Sequence, residues 1–90
     1  KVISRDIPEI MQEKVIEYQE QGFRQFQMKV GAEPSVDIRR ITSVAKNLKP
    51  GNVLGADANC GWNQHDAIRV VKAISNLDVY IEQPCFTYEE

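Results

Sequence analysis

Apolar positions along the chain fall into two alternating spacings. Short runs at Val2-Ile3, Phe23 to Val30, Asn52 to Asp57 and Asp78 to Glu82 have the two-residue period or continuous apolar character of strands. Between them, three sets recur at three- and four-residue intervals and predict amphipathic helices: Ile7, Ile10, Met11, Val15 and Tyr18; Ile38, Ile41, Ala45 and Leu48; and Ala67, Ile68, Val71 and Ile74. The punctuation agrees with this division. Asp6 is placed to cap the first helix, with Pro8 in its first turn and Glu9 in capping-box position, and Gly22 follows its end. Lys49-Pro50-Gly51 stops the second helix. Asn63 caps the third, with Asp66 three residues on. Cys85 to Glu90 predicts a loop leading into the start of a further helix.

The predicted order is therefore a strand tail followed by three helix-strand pairs. Strands end at Lys29, Asp57 and Glu82, spaced 28 and 25 residues apart, which is one βα unit each time. Right-handed crossovers set consecutive strands side by side and put every helix on one face of the sheet. A parallel sheet needs both faces covered, and three helices cover only one. The fold class expected is thus α/β, a partial (β/α)-barrel of three to four parallel strands alternating with three helices. The chain starts at Lys1 without an initiator Met and stops inside a predicted helix start, so it is expected to be cut from a larger domain.

Composition narrows the function. With 42% hydrophobic and 27% charged residues the 90-residue chain is ordinary for a globular protein, and nothing signals disorder. A net charge of -2 leaves no basic stripe to neutralise phosphates, which argues against a nucleic-acid partner. No apolar run approaches a membrane span, and Lys1 to Asp6 has no signal-peptide core, so a cytoplasmic protein without a membrane partner is expected. Cys60 and Cys85 both follow strand ends, where reduced thiols are expected rather than a disulfide.

Strand alternation supplies the candidate chemistry. Gln27 and Lys29 share a face opposite Phe26 and Met28; Gly55 and Asp57 lie opposite Leu54 and Ala56; Tyr80 and Glu82 lie opposite Val79 and Ile81. With adjacent strands about 4.8 Å apart, Lys29, Asp57 and Glu82 would stand in a row at one rim. Two carboxylates on neighbouring strands repel unless a cation lies between them, and Mg²⁺ with its preference for oxygen ligands is the natural occupant. The plainer alternative is a structural ion pair, Lys29 with Asp57, or solvated rim charges. A nearby cation and partial burial both disfavour an ammonium, which would make Lys29 usable as a general base. Asn59, two residues past Asp57, is a candidate to hydrogen-bond a substrate or a metal-bound water, or else a turn former. Trp62 is expected to pack in its loop and His65 to lie on the surface. A receiver-like module would need an acidic pair at the first strand, where only Asp6 stands. A doubly wound nucleotide-binding domain would need a glycine-rich phosphate loop, and none follows any strand.

Gly22 to Gly31 (Gly-Phe-Arg-Gln-Phe-Gln-Met-Lys-Val-Gly), Asp57-Ala58-Asn59-Cys60-Gly61-Trp62 and Ile81-Glu82-Gln83-Pro84 together resemble the enolase superfamily in its mandelate racemase/muconate lactonizing branch, in order and spacing across essentially all 90 residues. The resemblance implies the N-terminal half of a (β/α)₇β barrel, a modified TIM barrel, in an enzyme with a separate capping domain that works as a homo-oligomer. It implies that Lys29 is the base ending the second barrel strand, that Asp57 and Glu82 are the first two Mg²⁺ ligands, and that the reaction removes the proton α to a carboxylate of a small molecule, giving an enediolate. Epimerisation or dehydration follows. Many members carry Lys-x-Lys at the second strand; here Gln27 replaces the first lysine and shares the catalytic position with Lys29. The third ligand and a partner base would lie beyond Glu90, so the 90-residue chain alone is expected to be inactive. Phe26 to Gly31, Glu82 to Cys85 and Tyr88-Glu89-Glu90 resemble most the proline betaine and hydroxyproline betaine epimerases and the cis-3-hydroxy-L-proline dehydratases.

Overall fold

The computed structural model of the chain describes residues 1–84. In chain order its elements are β1 (Val2–Ile3), α1 (Pro8–Glu20), β2 (Gln25–Lys29), α2 (Pro34–Lys46), β3 (Val53–Asp57), α3 (Gln64–Ala73) and β4 (Val79–Glu82). All strand pairs are parallel, and the sheet order is the chain order, β1-β2-β3-β4. Each crossover carries one helix, the arrangement that the strand spacing predicts. The further helix start expected at residues 85–90 lies outside the described residues.

Alternation decides what each strand buries. Ile3, Phe26, Met28, Leu54 and Ala56 are buried and join Met11, Val15, Ile41, Val44, Ala67, Val70 and Ile74 in one core between the sheet and the helices. Burying each of the larger side chains is worth about 1.5–3 kcal/mol relative to leaving it exposed. On the other face the register sets Val2, Gln27, Gly55 and Tyr80 in one row and Lys29, Asp57 and Glu82 in the next. No helix covers that face among the described residues, and Val2, Val53 and Tyr80 are about half exposed there. Gly55 has a spatial reason to be glycine: a Cβ there would run into the Tyr80 ring.

Two local expectations are corrected. Asp6 does not cap α1. Proline is favoured at the first helical position because its fixed φ suits the helix and its missing N–H is not needed there. Pro8 therefore starts the helix and makes Ile7 the N-cap, with no side-chain capping bond. Asp6 instead accepts the Ile7 N–H at 2.7 Å. On α3 the buried stripe runs through Ala67, Val70 and Ile74, while Ile68 and Val71 are exposed. The apolar positions of α3 span a broad arc, and only the half turned toward α2 and the core finds something to pack against. The Asn63 cap holds as expected, its side chain accepting the Asp66 N–H at 2.7 Å. The second helix is capped by Glu33, which accepts the Val36 N–H at 3.1 Å.

Candidate metal centre and proton-transfer site

Three successive strands finish level with one another, so Lys29 pairs in register with Asp57 and Asp57 with Glu82. The predicted row is therefore present, and the side chains converge. Lys29 Nζ lies 3.1 Å from Asp57 Oδ2. Gln27, one pleat back on β2, donates its side-chain amide to Asp57 Oδ2 and to Glu82 Oε2, each at 3.3 Å. One amide thus stands between the two carboxylates, offering N–H dipoles where like charges would otherwise repel. The Asp57 side chain is 8% exposed and that of Lys29 33%, so the acid is held inside the rim while the amine reaches its edge.

The plainer reading, an ion pair between Lys29 and Asp57, describes a contact that the structure contains. That contact does not account for Glu82 or for the amide bridging both acids. Asp57 and Glu82 offer hard oxygen donors that suit a small divalent cation. Among the described residues no group of three His, Cys, Asp or Glu side chains is arranged to hold a metal.

The loops after β3 and β4 hold this row from above. Ala58 donates to the Glu82 carbonyl at 3.0 Å, Cys60 to Gln83 at 2.6 Å and Trp62 to Pro84 at 3.2 Å, while Val30 donates to the Asp57 carbonyl at 3.0 Å. Asn59, Cys60 and Gln83 all take positive φ, at 49°, 62° and 47°. Such backbone costs of order 1 kcal/mol or more per residue and persists where surrounding bonds demand it. Asn59 contributes through its main chain, its N–H reaching Asp57 Oδ1 at 2.9 Å. Its turn-forming role is therefore present, and its side chain is exposed at the rim. Between the loops the backbones touch. A Cβ on Gly31, which has φ 103°, would strike the Ala58 carbonyl, and one on Gly61 would strike the Gly31 carbonyl.

A cleft of about 440 Å³ opens beside this row, lined by Arg5, Lys29, Val30, Gly31, Ala58, Asn59 and Gly61. Lys29 stands in its wall, between the carboxylate row and the open space. Trp62 is 1% exposed, the loop-packing role expected of it, and His65 is exposed as expected. Cys60 is a free thiol; Cys85 lies outside the described residues. No helix among the described residues is long and apolar enough to cross a membrane.

Sequence reasoning missed Asp37, the most deeply buried charged side chain among the described residues, at 0% exposed. An acid in the first turn of a helix reads as a partner for the helix dipole and attracts no further notice. The available signal was its phase: Asp37 lies four and seven residues before Ile41 and Val44, on the buried stripe of α2. A loop tryptophan needing a partner for its N–H was the second signal.

Residues 10–90 match the family described as enolase C-terminal domain-like. Over all 90 residues the chain is 52% identical to a cis-3-hydroxy-L-proline dehydratase of Roseibium aggregatum, of which it covers 24%. It superposes with a TM-score of 0.93 and 34% identity on a magnesium complex of a mandelate racemase/muconate lactonizing enzyme-type protein from Roseovarius nubinhibens, covering 100% of this chain and 26% of that one. A dipeptide epimerase of Cytophaga hutchinsonii, solved with Mg and the dipeptide D-Ala-L-Val, superposes with a TM-score of 0.88 and 26% identity over 94% of this chain and 23% of that one. The chain thus spans about a quarter of the length of the relatives it matches.

Proposed function

Since the chain belongs to the enolase C-terminal domain-like family, we propose that its 90 residues form the N-terminal half of a (β/α)₇β barrel whose intact enzyme removes the proton α to the carboxylate of a small molecule, with Mg²⁺ as cofactor. The observation that carries the reading is the convergence of Lys29, Gln27, Asp57 and Glu82 on one rim of the sheet. The magnesium in a solved relative of TM-score 0.93 supports the metal, and the dehydratase and epimerase among the relatives support the reaction class.

In this reading Asp57 and Glu82 hold the metal through carboxylate oxygens. The third ligand, the opposing base, the capping domain and the contacts of a homo-oligomer come from sequence outside these residues. Bound Mg²⁺ supplies the positive charge without which an α-proton next to a carboxylate is too weakly acidic to leave. Lys29, in the cleft wall, takes that proton on its Nζ lone pair. Gln27 holds the two acids toward each other and presents a neutral donor where a lysine would add charge. Asn59, exposed at the cleft, meets the substrate. Return of a proton to the opposite face gives the epimer, and loss of a β-hydroxyl gives the alkene. The 52% identity to a cis-3-hydroxy-L-proline dehydratase supports a proline derivative as substrate.

Proton NMR of the intact enzyme in D₂O with Mg²⁺ tests this, using cis-3-hydroxy-L-proline, proline betaine and hydroxyproline betaine. The α-proton signal of one of them should disappear with Mg²⁺ and persist when Lys29→Ala is used. Persistence of all three signals in the unaltered enzyme would sink the proline assignment. Loss that survives Lys29→Ala would sink the role of Lys29.

A further inference from the structure

We infer that Asp37, a buried carboxylate outside the metal-binding pair, is a positioning residue that ties the loops after β1, β2 and β3 into one unit and so fixes where Lys29 and Asp57 stand. Its Oδ2 accepts three donors from two loops: Gly31 N–H at 3.0 Å, Ala32 N–H at 2.7 Å and the Trp62 indole Nε1–H at 2.9 Å. Its Oδ1 pairs with Arg40 at 2.9 Å. Arg40 in turn donates Nε to the Asp6 carbonyl at 2.6 Å, in the loop between β1 and α1. One side chain therefore reaches three neighbouring loops, directly or through a single intermediary.

The lever arms are short. Gly31 is two residues from Lys29, and Trp62 is five from Asp57. Where Asp37 holds Gly31 and Trp62, the two loops are pressed backbone to backbone, with Gly31 against Ala58 and Gly61. A charge this deeply buried is costly unless it is hydrogen-bonded and a counter-charge is close, and Asp37 meets both conditions, with three N–H donors and the Arg40 guanidinium. A neutral core residue would fill α2's stripe more simply. What the carboxylate adds is three directed bonds that converge on the rim. This role rests on the functional reading above, because it concerns the geometry of that site.

The test uses the intact enzyme and two variants, Asp37→Asn and Trp62→Phe, with Mg²⁺ affinity by calorimetry, kcat and KM measured separately, and circular dichroism at the assay temperature. Asp37→Asn turns an amide or a weakened acceptor toward Arg40, and Trp62→Phe keeps the aromatic bulk while removing one donor. Both should keep the native dichroism. Asp37→Asn should raise the Mg²⁺ Kd about tenfold and lower kcat more than tenfold with a smaller change in KM, and Trp62→Phe should shift both several-fold in the same direction. Unchanged Kd and kcat in folded variants, with only a lower melting temperature, would overturn the positioning role and leave Asp37 a stabilising residue. If Asp37→Asn does not fold, Trp62→Phe decides alone. Failure of the unaltered enzyme to bind Mg²⁺ would instead overturn the functional reading, and the positioning role with it.

Discussion

Where the strands begin, Gly22 and Gly51 take φ of 100° and 87°, and a Cβ on either would meet nothing within 4 Å; where the strands end, Gly31 has a similar φ of 103° but its missing Cβ is filled by the Ala58 backbone. Buried polar side chains differ in the same way. Gln19 sits at the first end, its amide donating to the Asn47 carbonyl at 2.9 Å and its oxygen accepting from Lys49 N–H at 2.8 Å and Asn52 Nδ2 at 2.9 Å. Asp37, at the other end, does the equivalent work with a charge. At the first end the buried group fastens one loop, residues 47–52, to α1; at the second it ties separate loops to one another. Only at the second do the tied loops follow directly on Lys29 and Asp57, and only there does a lysine beside a carboxylate row line an open cleft. In (β/α)-barrels the strand-end rim carries chemistry and the opposite rim stability, and the comparison can be broken by substitutions that act at one rim and not the other.

The largest effect is expected from the acids themselves. Asp57→Asn and Glu82→Gln preserve shape and remove one negative charge each, so the intact enzyme should lose on the order of a thousandfold in turnover, as when a group that stabilises developing charge is removed. Mg²⁺ affinity should fall with it while thermal stability changes little. Calorimetry and α-proton exchange read both. Full activity in either variant would leave the row as rim ion pairs and nothing more.

Next come the glycines. Gly31→Ala forces a methyl group into the Ala58 carbonyl in a backbone conformation already unfavourable for alanine, and should destabilise by about 3 kcal/mol or more. Gly22→Ala has the same conformational problem without the collision and should cost about 1–2 kcal/mol. Urea denaturation of the two variants measures the difference. Equal losses would mean that the close backbone approach at the strand-end rim is not a constraint.

The row at that rim was legible because it depends on little. Strand period two and one βα unit per strand fix which residues share a face and how far apart they fall, so Lys29, Asp57 and Glu82 could be aligned from spacing. The Gln27 bridge was less legible, because it reaches from β2 past β3 to Glu82, and no pairwise rule in the sequence records a side chain spanning two strands. Helix stripes misled on α3 because periodicity gives the width of an apolar arc, and neighbours decide which half is covered: Val70 is buried and Val71 is not. At Asp6 a good capping residue lost to the proline two positions on, which fixed the helix start. Asp37 stayed hidden because its partners are two backbone N–H groups, an indole and a guanidinium, none of which a spacing rule ties to a first-turn acid.

Gln19→Ala should leave the comparison intact from the other side. It strips the Lys49 N–H and Asn47 carbonyl of their partners; these groups are part-buried, so the cost falls toward the low end of the range of about 1–3 kcal/mol for unpaired buried groups. The melting temperature should therefore drop, while kcat and Mg²⁺ affinity per folded molecule stay at their original values. A tenfold loss of turnover here would mean that the two rims are mechanically coupled and that the division between them is false.

The smallest expected effect limits what nearness to the rim implies. Asn63 follows directly on the loop that runs from Asp57 through Trp62, yet its side chain accepts the Asp66 N–H at 2.7 Å to start α3. Replacing such a cap by alanine costs about 1 kcal/mol. Asn63→Ala should therefore lower stability by that amount and leave α-proton exchange unchanged, because the loop before it is already held by Asp37 through Trp62 and by the Cys60 and Trp62 N–H bonds to the strand-end backbone. If turnover fell instead, the cap would have to be transmitting its strain through the loop. Function at this rim would then depend on where α3 begins as well as on which side chains face the cleft.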